Sequence, residues 1–205
     1  MTKKRIFVAA ALGASMPLGL VGAIPTAHAT YIVTFAQFGP DVLAIGQGTI
    51  NTTGLNFLTS GGPPLDPGVS PAFASEFTGS SHKVAQYIGA SGPTSFGPGP
   101  GASATTGSGD LVGIISRPPP IFGPGSLIAV TTLPSSPFLF GEATYAGQTL
   151  SSLGLTPGVY TYTWGSGANA DSFIVAVAGV PEPASAALFG TGLLSISMLR
   201  LRRRS

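Results

Sequence analysis

The clearest hydrophobic and polar pattern in the chain is Val159-Tyr160-Thr161-Tyr162-Thr163-Trp164, where large aromatic residues alternate with β-branched ones. A period of two places Tyr160, Tyr162 and Trp164 on one face of a strand and Val159, Thr161 and Thr163 on the other. Thr156-Pro157-Gly158 turns into this run. The Gly-, Ala- and Asn-rich stretch 165–171 leads out of it into Ser172-Phe173-Ile174-Val175-Ala176-Val177, so the two runs predict a hairpin. A second hairpin is predicted from Tyr31 to Phe38, through a Gly39-Pro40-Asp41 turn, into 42–50, where Gly46 and Gly48 suggest a bulge or a sharp coil. Further strands are expected at 83–88, 111–116, 127–132 and 138–145, each bounded by turn-forming residues. No long stretch of the middle shows a helical period with caps. The expected class is all-β, a mostly antiparallel sandwich in which each strand buries one face. Residues 60–70 and 89–109 are rich in Gly, Pro, Ser and Thr and are expected as long surface loops. Within the second, Gly97-Pro98-Gly99-Pro100-Gly101 has a glycine period of two, which excludes a collagen helix.

The pattern changes at both ends. Lys3, Lys4 and Arg5 precede an apolar stretch 6–24, followed by Pro25 and Ala27-His28-Ala29. This basic, apolar and small-residue order predicts a secretory signal peptide over 1–29, cleaved after Ala29 with Ala27 and Ala29 as the recognised small residues. At the other end, 184–199 holds no charged residue and is followed by Arg200, Arg202, Arg203 and Arg204. Sixteen helical residues span about 24 Å, and snorkelling arginine stems extend that reach, so a C-terminal transmembrane helix is expected. The arginines favour the cytoplasmic side and orient everything before them outward. Pro181 and Pro183 leave Glu182 on an extended, accessible stretch at the bilayer edge.

Val180-Pro181-Glu182-Pro183, the apolar span and the arginine cluster resemble, in that order, the PEP-CTERM sorting signal of Gram-negative bacteria. The resemblance covers 180–205. It implies export, an inner-membrane intermediate, and processing by an exosortase for release to the cell surface or extracellular matrix. Segments 30–50 and 154–177 are also similar, more loosely, to the layout of small PEP-CTERM proteins. The resulting organisation is a signal peptide at 1–29, an all-β exported domain at 30–179 and a sorting signal at 180–205.

Charge then narrows the function. Between 30 and 180 only Lys83 and Arg117 stand against Asp41, Asp66, Glu76, Asp110, Glu142 and Asp171, a net of −4. Nucleic-acid binding, which needs a basic stripe to neutralise phosphates, is not expected of such a domain. Cysteine is absent, so neither disulfides nor thiolate metal sites are available and burial must supply stability.

Searching for reactive groups assigns no catalytic, cofactor or metal residue. His82 is the single histidine beyond the signal segment, and no Gly-x-Ser-x-Gly elbow, His-x-x-His or His-Glu-x-x-His spacing occurs. Asp41, Asp66 and Asp171 read as turn caps. Residues 165–171 resemble one copy of a calcium-binding Gly/Asp nonapeptide, a motif that works by stacking many copies. The Tyr160, Tyr162 and Trp164 stripe has two readings: the inward face of a sheet, which is favoured, or a ligand surface on which sugar rings stack. The expectation is a non-enzymatic surface or matrix protein of the biofilm type. Its partners would be the export translocon, signal peptidase, exosortase, the inner membrane and exopolysaccharide; the alternative is a carbohydrate-binding or adhesive module.

Overall fold

A computed structural model describes residues 29–116, 126–131 and 137–179. The predicted signal segment with Ala27, and the tail from Val180 through Pro181, Glu182 and Pro183 to Arg200, Arg202, Arg203 and Arg204, lie outside the described residues. Among the described residues no helix is long and apolar enough to cross a membrane.

The strands in chain order are β1 (Ala29–Phe38), β2 (Asp41–Gly48), β3 (Asn56–Ser60), β4 (Gly68–Ser70), β5 (Ser75–Thr78), β6 (Val84–Ala90), β7 (Ala102–Ser103), β8 (Thr106–Gly109), β9 (Val112–Ile115), β10 (Ser126–Thr131), β11 (Leu139–Tyr145), β12 (Gly158–Trp164) and β13 (Asp171–Val177). They form a six-stranded sheet in the order β12-β13-β1-β2-β11-β8 and a seven-stranded sheet in the order β3-β6-β10-β9-β5-β4-β7. The sandwich is all-β and antiparallel-rich, as alternation along the chain predicts. One pairing departs from this rule: β1 and β13, the first and last described strands, run parallel, with Ala29 opposite Asp171 and Phe35 opposite Val177. Neighbours on a parallel ladder cannot be joined by a tight turn. This closure therefore depends on the two ends of the domain finding each other.

The β1–β2 hairpin closes through Gly39-Pro40, with Phe38 paired to Asp41 and Gly39 in the left-handed region at φ 59°. A two-residue loop whose first residue has positive φ suits the twist of a hairpin, and glycine adopts it without steric cost. The Gln37 amide then ties this hairpin to a distant segment. Its Nε2 donates to the carbonyls of Gly39 (3.1 Å), Asp41 (2.9 Å) and Gln148 (3.2 Å), and its Oε1 accepts from the Leu150 N–H (3.2 Å).

Inward residues of the six-stranded sheet, among them Tyr31, Val33, Phe35, Tyr145, Tyr162, Phe173 and Val175, meet Val69, Val112, Ile114 and Ile128 of the other sheet in one fully buried core. A second cluster of Phe77, Val84, Leu111, Leu127 and Ala129 lies on the far side of the seven-stranded sheet, with Leu65, Ile88 and Ile115 against it. Strands β9 and β10 are thus buried on both faces, which explains their unbroken apolar runs and corrects the expectation that every strand buries one face.

Three other expectations are corrected. The β1–β2 register runs without interruption past Gly46 and Gly48, so those glycines make no bulge. A Cβ on Gly46 would collide with the Tyr31 hydroxyl and Thr78 Oγ1; the missing side chain is the space that a neighbouring tyrosine occupies. Segments 60–70 and 89–109 are not simple surface loops, because they supply β4, β7, β8 and the end of β6. Phe96, in the middle of the Gly/Pro-rich run, is fully buried, with its ring 5.0 Å from Tyr160 and 6.3 Å from Tyr162. Strands β3, β4, β5, β7 and β8 are too short or too polar for alternation to reveal them.

Candidate functional site

The aromatic stripe faces the interior. Tyr162 is completely buried, Trp164 is 5% exposed, and Tyr160 is half-buried. Each polar tip has a partner inside the fold: Tyr160 donates to the carbonyl of Thr156 at 2.8 Å, Tyr162 to that of Pro93 at 2.9 Å, and Trp164 Nε1 to that of Asn51 at 2.8 Å. Tyr160, Tyr162 and Trp164 therefore anchor loops 51–55 and 93–97. Tyr162 and Trp164 are enclosed by packing, so their rings cannot stack on a sugar, whereas Tyr160 is half-buried.

The acidic side chains are mostly ladder and loop fasteners. Asp171 is buried and accepts from the N–H of Asn51 (2.5 Å) and of Ser172 (2.5 Å). Its carboxylate thereby ties the start of β13 to a remote backbone segment. Asp41 accepts from the Gly147 N–H at 2.8 Å, and Asp110 accepts from the Phe140 N–H at 3.3 Å. Asp41 reaches across the fold to 147, and Asp171 holds both its neighbour Ser172 and the remote Asn51. His82 sits in an isolated bridge with Leu65, exchanging backbone bonds of 3.0 and 3.2 Å, and its ring makes no hydrogen bond to a described side chain.

Glu76 is the acid that sequence reasoning did not single out. On β5 it points between the sheets toward Tyr31, Tyr145 and Tyr162 and is wholly buried, and neither carboxyl oxygen has a hydrogen-bond partner. Burial holds its carboxyl well above the usual carboxylate range. Burial likewise raises the phenols of Tyr31 and Tyr145, with a smaller contribution from the Glu76 charge. The Tyr31 hydroxyl meets Thr78 Oγ1 at 3.4 Å, whereas the Tyr145 hydroxyl has no partner. This cluster is sealed from solvent and no solute can reach it.

Among the described residues, accessible concave surface lies at the seam between the sheets. The chain leaves the seven-stranded sheet at β7 and enters the six-stranded one at β8 after only Ala104 and Thr105. Each of these two residues is held by a different sheet segment: the Ala104 N–H donates to Pro67 (3.0 Å) and the Thr105 N–H to Thr144 (2.7 Å). The crossing leaves two adjoining grooves of about 350 and 370 Å³ that share Asp66, Pro67 and Ser103. Ser70, Ser75 and Phe77 line one, and Ser81, Thr105 and Thr106 the other. A smaller hollow of about 100 Å³ continues from Thr106 past Ser108 to Glu142, whose Oε2 accepts from Ser108 Oγ at 3.3 Å.

Serine and threonine hydroxyls both donate and accept, and a carboxylate only accepts. Hydroxyls and the Asp66 carboxylate share the described lining of these grooves with Pro67, Val69, Phe77 and Ala102, and no described lysine or arginine lines them. Phe77 is 8% exposed, so aromatic stacking contributes little here. The abundance of Ser and Thr was legible in the sequence, but their convergence at the seam follows from the β7–β8 crossing and carries no sequence signal. Comparison with family models, with curated proteins and with solved structures found no match.

Proposed function

We propose that this chain is an exported protein of the cell surface or extracellular matrix whose β domain acts by binding, contacting neutral, hydrated polysaccharide along the seam groove. The observation that carries this reading is the groove's chemistry: Ser70, Ser75, Ser81, Ser103, Thr105 and Thr106 with the Asp66 carboxylate, and no cationic side chain among its described lining residues. A non-enzymatic role is favoured by the state of the reactive groups. The most perturbed acid, Glu76, is enclosed in the core, and the His82 ring is not hydrogen-bonded to a described carboxylate.

Delivery is proposed from the ends of the sequence. Translocon and signal peptidase act at the amino terminus, and an exosortase acts at Pro181-Glu182-Pro183 after transient anchoring by 184–199. The strand geometry adds a constraint on order. Ala29 is paired with Asp171 in β1, so cleavage after Ala29 has to precede the docking of β1 on β13, because a protease needs an unpaired extended segment.

Fractionation of cells with mass spectrometry of both termini tests the delivery. The mature form is expected to start at Thr30 and to end between 181 and 184; recovering it with Arg202, Arg203 and Arg204 attached overturns exosortase processing. Retention on neutral and anionic polysaccharide columns tests the groove. Delayed elution from the neutral polymer, reduced by Asp66→Ala and Ser103→Val, is expected, and equal elution of wild type and variants overturns the groove reading.

A further inference from the structure

We propose that the outer face of the six-stranded sheet is a self-association surface on which two copies of this chain pack face to face. The ladder registers place side chains in cross-strand rows on that face. One row runs Thr161, Ile174, Ile32, Gln47, Phe140, and the next runs Val159, Ala176, Thr34, Ile45, Glu142. Solvent-facing sides of antiparallel sheets are ordinarily polar, with charge. Here Ile32, Ile45, Ile174, Val159, Ala176 and Phe140 stand among Thr34, Thr161, Gln47 and Glu142, and Ile32, Phe140 and Val159 are 39%, 41% and 71% exposed. The seven-stranded sheet differs in carrying its own buried cluster on its far side, although Phe57 and Leu58 are exposed on its edge strand β3.

Charge and area identify the occupant. Among the described residues this face carries Glu142, in its second row and bonded to Ser108 Oγ, and Asp41 at the start of β2, bonded to the Gly147 N–H, while Lys83 lies beside β6 in the other sheet. With no cationic group among its described residues, the face does not attract nucleic acid, an anionic lipid surface or an acidic polymer. Even with Glu76 enclosed and its proton held, acidic side chains of this domain outnumber basic ones by five to two, so two copies repel one another and approach at least cost where described charge is sparse, as on this face. Six strands about 4.8 Å apart and seven residues long make a face of roughly 600 Å². Two such faces bury about 1,200 Å², which reaches the range of specific interfaces. Sheets also pack naturally on sheets, at about 10 Å with interdigitating side chains, whereas a sugar polymer would be better served by aromatic platforms than by isoleucine and threonine.

Sedimentation of the full-length protein in mild detergent across a concentration series tests the proposal, beside Thr34→Lys at the centre of the face and Thr59→Lys on β3 as a control. A reversible dimer is expected, weakened about tenfold or more by Thr34→Lys and unchanged by Thr59→Lys. Because the chain has no cysteine, Thr34→Cys should give a disulfide-linked dimer on mild oxidation and Thr59→Cys should not. Unaltered Trp164 emission reports that each variant is folded, and Val159→Lys serves if Thr34→Lys is not. A monomer at every concentration, or a dimer indifferent to both face variants, overturns the proposal. So does loss of polysaccharide retention in Thr34→Lys with unchanged sedimentation, which would make the face a glycan surface.

Discussion

Trp164 Nε1 donates to the carbonyl of Asn51 at 2.8 Å, while the Asn51 N–H donates to the Asp171 carboxylate at 2.5 Å. One backbone unit thereby joins the end of β12 to the start of β13. Because this is the only tryptophan, its fluorescence reports on that junction alone. Wild-type emission should be blue-shifted and poorly quenched by iodide. Trp164→Phe keeps a ring but leaves the Asn51 carbonyl unpaired, and a loss of about 1–3 kcal/mol in chemical denaturation is expected.

Glu76 should make stability depend on pH. Its proton is retained in the folded protein above the ordinary value of 4.5, whereas the unfolded chain releases it there. Stability is therefore greatest below 4.5 and falls as pH rises toward the raised folded value, by up to about 1.4 kcal/mol per pH unit. Tyr31, Tyr145 and Tyr162, whose phenols are also raised, add a further decline only in strongly alkaline solution. Denaturation midpoints of Glu76→Gln between pH 5 and 8 should lose most of that slope. An unchanged slope would place the titrating group elsewhere.

Gly46 faces the Tyr31 ring. Gly46→Ala forces the new Cβ into the Tyr31 hydroxyl and Thr78 Oγ1, and overpacking of this kind costs about 1–3 kcal/mol. Pairing it with Tyr31→Phe removes one of the two colliding oxygens. A double-mutant cycle in urea should give a coupling energy of favourable sign, and strict additivity would show that the two sites relax independently.

Phe96 is expected to behave as a core residue despite its Gly/Pro surroundings. Its N–H donates to Pro71 at 2.8 Å and its carbonyl accepts from the Thr156 N–H at 2.8 Å, so the ring is held as well as enclosed. Phe96→Ala should cost about 3–5 kcal/mol and expose 97–101 to limited proteolysis. A surface-loop phenylalanine would show neither effect.

Alternation of side chains along an extended backbone is local, and it is the part of this fold that the sequence determined by itself: the all-β class, the two hairpins, strands β6 and β9 to β11, and the inward set of Tyr160, Tyr162 and Trp164. Tertiary structure alone decided which strands are neighbours. Nothing in Tyr31 to Phe35 announces a parallel partner at Phe173 to Val177, because that pairing depends on apolar faces meeting across more than a hundred residues. The enclosure of Glu76 and Phe96 and the hydroxyl groove at the β7–β8 crossing arise in the same way. Each depends on what the other sheet or a remote loop places against the residue, and a period read along one strand carries no information about what lies opposite it.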